Sequence, residues 1–326
     1  MFVEEILKSQ SNTVVEGSYL FLDPKLKPYN EREGHFLTFS LQDKTGLVWA
    51  KIWDNAEYIS QQLKNASIVA IKGRTNVYNN KVQVIVDKIK IADENSYKIN
   101  DIIRVSTKDP EEMWTELNNI MTEKIKSPDF QKIWLNFIEN EQLLEKFKLW
   151  PGGKGTVHHA YQHGLLEHTL SIVKLITQFS LIEFDIEKAL IGSLFHDIGK
   201  IEAYIYDKIK TTMSNIGRLH EHTVLSYFIF REIIGKISTL NNEDNILEEI
   251  GHIILSHHGT KENRAVVKPM TIEAKLVAIA DAMDADANYM LLQLKYNADE
   301  NGWVFDSLTQ QFFFKRPRNK RRKLIT

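Results

Sequence analysis

The stretch Leu276-Val277-Ala278-Ile279-Ala280-Asp281-Ala282-Met283 is almost wholly apolar and carries one carboxylate in its middle. A helix with this pattern packs into a core. An ionised carboxylate taken there is costly unless it is paired or bound to a cation. Asp197, just after Leu194-Phe195-His196, meets the same objection. One such residue is commonly explained by a salt bridge or a cap. Two of them, together with histidines on apolar helical faces, resist separate explanations. His168 falls one turn before Ile172 on the face Leu165, Leu166, Thr169, Ile172, Val173, Ile176 and Phe179. His222 shares a helix with Leu225, Ile229 and Ile233, and His257-His258 follow Ile246, Ile250, Ile253 and Ile254. A metal ion explains the series His168, His196-Asp197, His222, His257-His258 and Asp281 together. Imidazole with carboxylate is a donor set for manganese, iron, zinc, cobalt or nickel.

With 326 residues the chain exceeds one small domain and suggests two. Its 43% hydrophobic and 26% charged residues are ordinary for a globular protein that buries a core without staples. There is no cysteine, which excludes disulfides, thiolate-bound zinc and iron–sulfur clusters. Met1 to Gln10 has no apolar signal segment, and no run of about 18 apolar residues occurs. A cytoplasmic address without a membrane span is therefore expected. The net charge is −2, so contact with nucleic acid must come from local basic patches.

From Thr13 to Ile91 the dominant period is two. Leu37, Phe39 and Leu41 alternate with Thr38 and Ser40; Val48, Ala50 and Ile52 alternate with Trp49, Lys51 and Trp53. Val82, Val84 and Val86 alternate with Gln83 and Ile85. Such alternation marks half-buried strands. Asp43-Lys44-Thr45-Gly46 and Tyr78-Asn79-Asn80-Lys81 read as hairpin turns. Ala56, Ile59 and Leu63 shift to helical spacing. Five strands with a helix between the third and fourth match the OB-fold, a small Greek-key barrel that often binds single-stranded nucleic acid. A phase slip from Val86 to Ile89 predicts the bulge that such a barrel needs to curl. Trp49, Lys51 and Trp53 would share one face, with Lys72 and Arg74 on a nearby strand. Aromatics interleaved with cations are what a single-strand binder uses. The competing reading places either tryptophan in the barrel core.

Asp93 to Thr107 is polar and weakly periodic and reads as a linker. Asp109-Pro110-Glu111-Glu112 and Ser127-Pro128-Asp129 each combine a cap, a first-turn proline and an acid, as helix starts do. The stripes that follow, Trp114, Leu117, Ile120, Met121 and Phe130, Ile133, Trp134, Phe137, Ile138, are core faces. Pro151-Gly152-Gly153-Lys154-Gly155 lacks the spacing and the preceding strand of a nucleotide P-loop. Lys154, His158 and His159 are candidate contacts to nucleic acid. Taken singly, His35, His158, His159, His163, His220 and His252 also suit surface or satisfied core positions. From Gln162 onward the pattern is helical, with Asp185 and Thr271 as caps and Gly199 suited to close the helix that ends at His196-Asp197.

Four words carry a resemblance: His158-His159-Ala160-Tyr161, Gly164-Leu165-Leu166-Glu167-His168-Thr169-Leu170, His196-Asp197-Ile198-Gly199-Lys200 and Leu255-Ser256-His257-His258-Gly259. Continued by Pro269 through Glu273-Ala274 to Asp281, they resemble the HD-domain superfamily of metal-dependent phosphohydrolases, and within it the YhaM-type 3′–5′ exoribonucleases. His163 and the stretch Lys261 to Val267 depart from that pattern. The layout expected is multidomain: an all-β OB-fold barrel over 1–92, a linker with connecting helices over 93–150, an all-α HD bundle over 151–310 and a basic tail over 311–326. The resemblance implies that His168, His196, Asp197 and Asp281 hold one divalent metal. It implies a second at His222 with His257 or His258, bridged by Asp197. Mn2+ is the favoured ion, ahead of Fe, Co, Ni, Zn or Mg. Two ions about 3.5–4 Å apart clamp the attacking and leaving oxygens of an in-line displacement. Asp197 and Lys200 are the expected catalytic residues, Lys200 offsetting phosphate charge. Asp284, one turn beyond Asp281, would orient a ligand.

Phe312-Phe313-Phe314 is expected to pack on the body. Seven of the nine residues Lys315 to Lys323 are cationic, an arm for an RNA backbone or a solvated end. The expected function is a metal-dependent 3′–5′ exoribonuclease on single-stranded RNA, with single-stranded DNA as second substrate. One rival is an HD phosphohydrolase of small or cyclic nucleotides, which has no use for a barrel. The other is a non-catalytic single-strand binder, which has no use for a complete ligand series. No membrane partner is expected, and a homo-oligomer is the assembly considered.

Overall fold

The computed structural model describes residues 1–30, 32–79, 81–153, 159–241, 243–260, 262, 264–299, 301–306 and 309–316. A short helix, Val3–Leu7 (α1), precedes the strands Val14–Pro28 (β1), His35–Asp43 (β2) and Gly46–Ile52 (β3), the helix Ala56–Gln62 (α2), and the strands Ile68–Tyr78 (β4) and Lys81–Ile91 (β5). The five strands close as a barrel in the order β1-β2-β3-β5-β4. Leu37, Phe39, Leu41, Val48, Ala50 and Val84 are buried inside it, as the period of two requires. Burying each large aliphatic contributes about 1.5–3 kcal/mol. Lys72 pairs with Lys88 and Gly73 with Val86, so Asp87 is the extra residue of the predicted bulge. A Cβ on Gly73 would meet the Ile85 carbonyl oxygen at 2.3 Å, which is why the close strand crossing carries glycine. α1 was not read from the sequence. Its five residues are too few for a period, yet Val3 and Ile6 are wholly buried and the Val3 N–H donates to Asp43.

Residues 93–107 are not a free linker. Ile99–Ile102 (α3) buries Ile102 against Leu20, Ile68 and Ala92 on the outside of the barrel. The Gln162 N–H then donates to the Arg104 carbonyl and the Ser106 N–H to the Gln162 carbonyl, so 104–106 runs beside 162 like a strand. Pro110–Lys124 (α4), Pro128–Glu139 (α5) and Glu141–Leu149 (α6) are not connectors either, because Leu117, Ile133, Phe137 and Phe147 share one core with the later helices. These later elements are Gly164–Gln178 (α7), Ile186–Phe195 (α8), Lys200–Ala203 (α9), Asn215–Gly235 (α10), Glu243–Ser256 (α11) and Ile272–Asn297 (α12).

Two hairpins interrupt the expected all-helical body. One joins Tyr204–Tyr206 (β6) to Thr211–Met213 (β7), the other Trp303–Asp306 (β8) to Gln311–Phe314 (β9). The boundary expected after residue 310 therefore falls within a hairpin. Phe313 is buried as expected, whereas Phe312 and Phe314 alternate outward. Pro317 and the basic residues beyond it lie outside the described residues. Among the described residues no helix is long and apolar enough to cross a membrane.

Candidate metal centre and nucleic-acid face

The chain reaches the centre from several directions. α8 ends at Phe195 and the next residues are His196 and Asp197, followed after Gly199 by α9. Gly199 has φ −63°, so it is not the left-handed cap read from the sequence. A Cβ there would meet the His222 carbonyl oxygen at 2.2 Å and the Ser226 nitrogen at 2.3 Å. The bare α-carbon lets α10 pass close, and its N–H donates to Ser226 Oγ. α10 breaks at Glu221, with φ 61° and ψ 154°. Such backbone costs about 1–3 kcal/mol and clusters at functional sites. The next residue is His222.

Asp197 is the hub. Its Oδ2 lies 3.3 Å from Nε2 of both His168 and His196, and Lys200 Nζ donates to the same oxygen. Its Oδ1 lies 3.3 Å from His222 Nε2 and 3.6 Å from His257 Nε2. His168 Nε2 is 3.2 Å from His196 Nε2 and 3.2 Å from Asp281 Oδ1. Across the cluster, His258 Nε2 is 3.1 Å from His222 Nε2. His168, His196, Asp197, His257 and Asp281 are all buried.

Proton positions decide what such a cluster can hold. His196 Nδ1 donates to the Ser193 carbonyl at 2.7 Å and His257 Nδ1 to the Ile254 carbonyl at 2.6 Å. A carbonyl only accepts, so each ring turns an Nε2 lone pair toward the cluster. There the lone pairs meet carboxylate oxygens, which also only accept. Asp197 Oδ1 and His257 Nε2 are two of four buried side-chain atoms without a hydrogen-bond partner among the described residues. An unpaired acceptor at such depth costs about 1–3 kcal/mol. A divalent cation satisfies these acceptors at once. Separations of 3.2–3.6 Å suit neighbouring ligands on an ion with bonds of about 2.1 Å. The residues therefore fit a metal in two sets: His168, His196, Asp197 and Asp281, and Asp197, His222, His257 and His258. Asp197 offers one oxygen to each.

The electrostatics agree. Burial alone would raise the Asp197 and Asp281 carboxyls, but Lys200 and the imidazoles around Asp197, and His168 with its neighbours around Asp281, hold both below the usual range. Burial drives His257 down and takes His258 to about 4, helped in each case by neighbouring imidazoles. Both are thus neutral and able to ligate near pH 7. Burial opposes the Lys200 charge, yet Asp197 raises its pKa. The Lys200 ammonium also donates to the Gly152 carbonyl at 2.6 Å. It is thus committed to Asp197 inside the cluster, where the sequence reading expected it to offset phosphate charge.

A layer of hydrogen bonds lies behind the ligands. Asp284 Oδ2 takes His168 Nδ1 at 2.7 Å and His159 Nε2 at 2.8 Å, and its Oδ1 accepts from Asn288 at 3.0 Å. His159, His168 and Asp284 could themselves hold an ion. Their short hydrogen bonds leave no orphaned atom, so the support role is favoured. His159 is 2% exposed, so it is not the nucleic-acid contact expected of it. Its Nδ1 meets the Tyr161 hydroxyl, which also reaches Glu167. Lys154 and His158 lie outside the described residues.

The barrel face takes shape in part as expected. Trp49 and Trp53 are exposed and do not fill the core, and Lys51 stands between them on the same side. Lys72 and Arg74 lie two strands away, across β5, beside Glu16 and Asp87. Residues missed from the sequence complete the face. Tyr29 and Phe36 pack on Trp53, with ring centroids 6.2 and 4.9 Å from it. Arg32 lies 3.8 Å above the Tyr29 ring, and Lys51 sits 5.5 Å from Trp53 and 5.4 Å from Tyr78. Tyr29 and Arg32 occupy the loop joining β1 to β2, and Tyr78 ends β4 at the turn to β5, the two loops with which OB-folds bind oligonucleotides. Their loop position was the signal available in the sequence.

A sequence model of the HD domain matches residues 165–286, and one of an OB-fold nucleic acid binding domain of the tRNA anticodon type matches residues 25–92. Two crystal structures of asparaginyl-tRNA synthetase from Pyrococcus horikoshii, one complexed with asparaginyl-adenylate, align with 76% of this chain at 11% and 12% identity. The TM-scores are 0.24 and 0.23, and the alignments cover 61% and 62% of those chains. This chain thus spans about three-fifths of their length, and scores of this size carry no argument. The barrel thus carries the match to an OB-fold nucleic acid binding domain, and the helical body with its shared carboxylate carries the match to an HD domain.

Proposed function

We propose that the chain is a metal-dependent 3′–5′ exonuclease of single-stranded RNA. One observation carries the reading: Asp197 presents its two oxygens to two sets of acceptor atoms, in a chain whose barrel exposes clustered aromatics beside cations. The RNA class and the direction of cleavage rest on the resemblance of the His158-to-Asp281 words to the YhaM-type exoribonucleases. Mn2+ is the ion to test first.

A metal bound at such a site supplies hydroxide from water near neutral pH and draws charge from the phosphate. The chain's own residues do the rest. Asp197 joins the two halves of the site. Lys200 keeps that carboxylate ionised and fixed, and Asp284 sets the ring of His168. Trp49, Trp53 and Tyr78 offer ring faces to bases, each stacked base being worth about 1–3 kcal/mol.

The test is a time course with Mn2+ and single-stranded RNA labelled at its 5′ end. A ladder shortening from the 3′ end is expected, and His196→Ala or Asp197→Ala should abolish it. RNA left intact over hours, trimming from the other end, or faster turnover of cyclic or mononucleotides than of RNA would each sink the proposal.

A further inference from the structure

A cleft of about 200 Å³ lies between the two domains, lined by Gln42 of the barrel, Arg104 of the connector, Tyr161, and the hairpin β6–β7 with the start of α10. Arg104, Lys208, Lys210 and Arg218 line it against one carboxylate, Asp23. Among the described residues, no ion pair engages Lys208, Lys210 or Arg218. Three such cations in a concave site select a polyanion.

The cleft continues the barrel face. Leu37, Phe39 and Leu41 point into the core, so Phe36, Thr38, Ser40 and Gln42 turn to the other face of β2, where Phe36 is half-buried and Thr38, Ser40 and Gln42 are buried. Thr38 is paired with Lys51 and Ser40 with Trp49. This row starts at the aromatic cluster of Phe36 and Trp53 and ends, about 20 Å on, at Gln42 in the cleft wall. On the far wall, Tyr161 is hydrogen-bonded to His159, which bonds Asp284, the partner of His168.

We infer that the cleft between β1–β2 and the β6–β7 hairpin is a phosphate-binding passage. It holds the backbone of a single-stranded polynucleotide as it leaves the barrel for the metal centre. The inference rests on the function proposed above and adds to it the path of the strand.

Binding of labelled oligouridylate of about 20 nucleotides, followed by fluorescence anisotropy in chelator across a salt series, tests it. The full-length variant K208E/K210E/R218E should bind at least about tenfold more weakly, with a salt slope smaller by about two, at roughly 0.7 per phosphate lost. An oligomer of about four nucleotides, short enough for the barrel alone, should bind it as it binds wild type. K210Q/R218Q should fall between, which guards against misfolding of the triple variant. K8E/K124E/K236E, with the same change in net charge, should match wild type. An unchanged affinity for the long oligomer overturns the inference and leaves the proposed function standing, as does an equal loss in the control triple. A wild-type protein that binds no single strand at all overturns both.

Discussion

A proton and a metal ion compete for the same nitrogen of His168. Burial disfavours its charge, yet Asp197, Asp281 and Asp284 raise its pKa well above the ordinary histidine value. In chelated protein that proton stabilises the fold below about pH 6.5, and the contribution is lost as pH rises through the raised pKa. Metal must displace it. Between about pH 5 and 6.5, above the His258 value of about 4, metal affinity should therefore rise at least about tenfold per pH unit. Titration calorimetry in buffers of different ionisation heat checks this through the proton released. Asp284→Asn keeps the ligands but weakens the hold on His168, so metal affinity should fall about 10–100-fold with unchanged stoichiometry at saturation. Elemental analysis and a binding isotherm separate the two quantities. Asp197 and Asp281 were legible because a charge in an apolar run has few explanations. His159 was not, because nothing in its neighbours distinguishes a buried hydrogen-bonding ring from one facing solvent.

Elements differ in how loudly they speak. The strands announce themselves by a period of two over seven or more residues, as in Gly46–Ile52. The hairpins β6–β7 and β8–β9 use strands of three and four residues, below the length at which any period can be recognised. Gly199 was assigned to the right place for the wrong reason, since what it serves is a crossing with α10 that no local pattern records. Gly199→Ala should accordingly cost about 3 kcal/mol or more, above the usual range for overpacking, because the obstructing atoms are backbone. Denaturant unfolding reads this, and metal content should drop with it. On the barrel, Trp53→Ala removes the ring on which Phe36 and Tyr29 lean, and should weaken oligonucleotide binding by about 1–3 kcal/mol. Equal affinity for wild type and variant would move the binding face elsewhere.

At the scale of the molecule, the two domains and their order could be read from the change of period near residue 92. The tightness of their junction could not. Ile102 is an apolar residue in a mostly polar stretch, and only the barrel surface it covers reveals its use. The centre is likewise a meeting of distant helices, so its removal should be felt by the helical body alone. At metal concentrations about 100 times Kd, binding adds about 2.7 kcal/mol, or about 5–10 °C in Tm for a domain of this size. Calorimetry with and without chelator should show the helical transition move and the barrel transition stay. The hairpin β6–β7 begins only a few residues after His196-Asp197, with α9 between them. If the cleft grips the strand as inferred and the centre hydrolyses it as proposed, grip and bond-breaking chemistry share one short stretch of gene. On that reading, an insertion or swap there would alter which strands are admitted only by disturbing the atoms beside Asp197, so new specificities should arise more readily from the barrel.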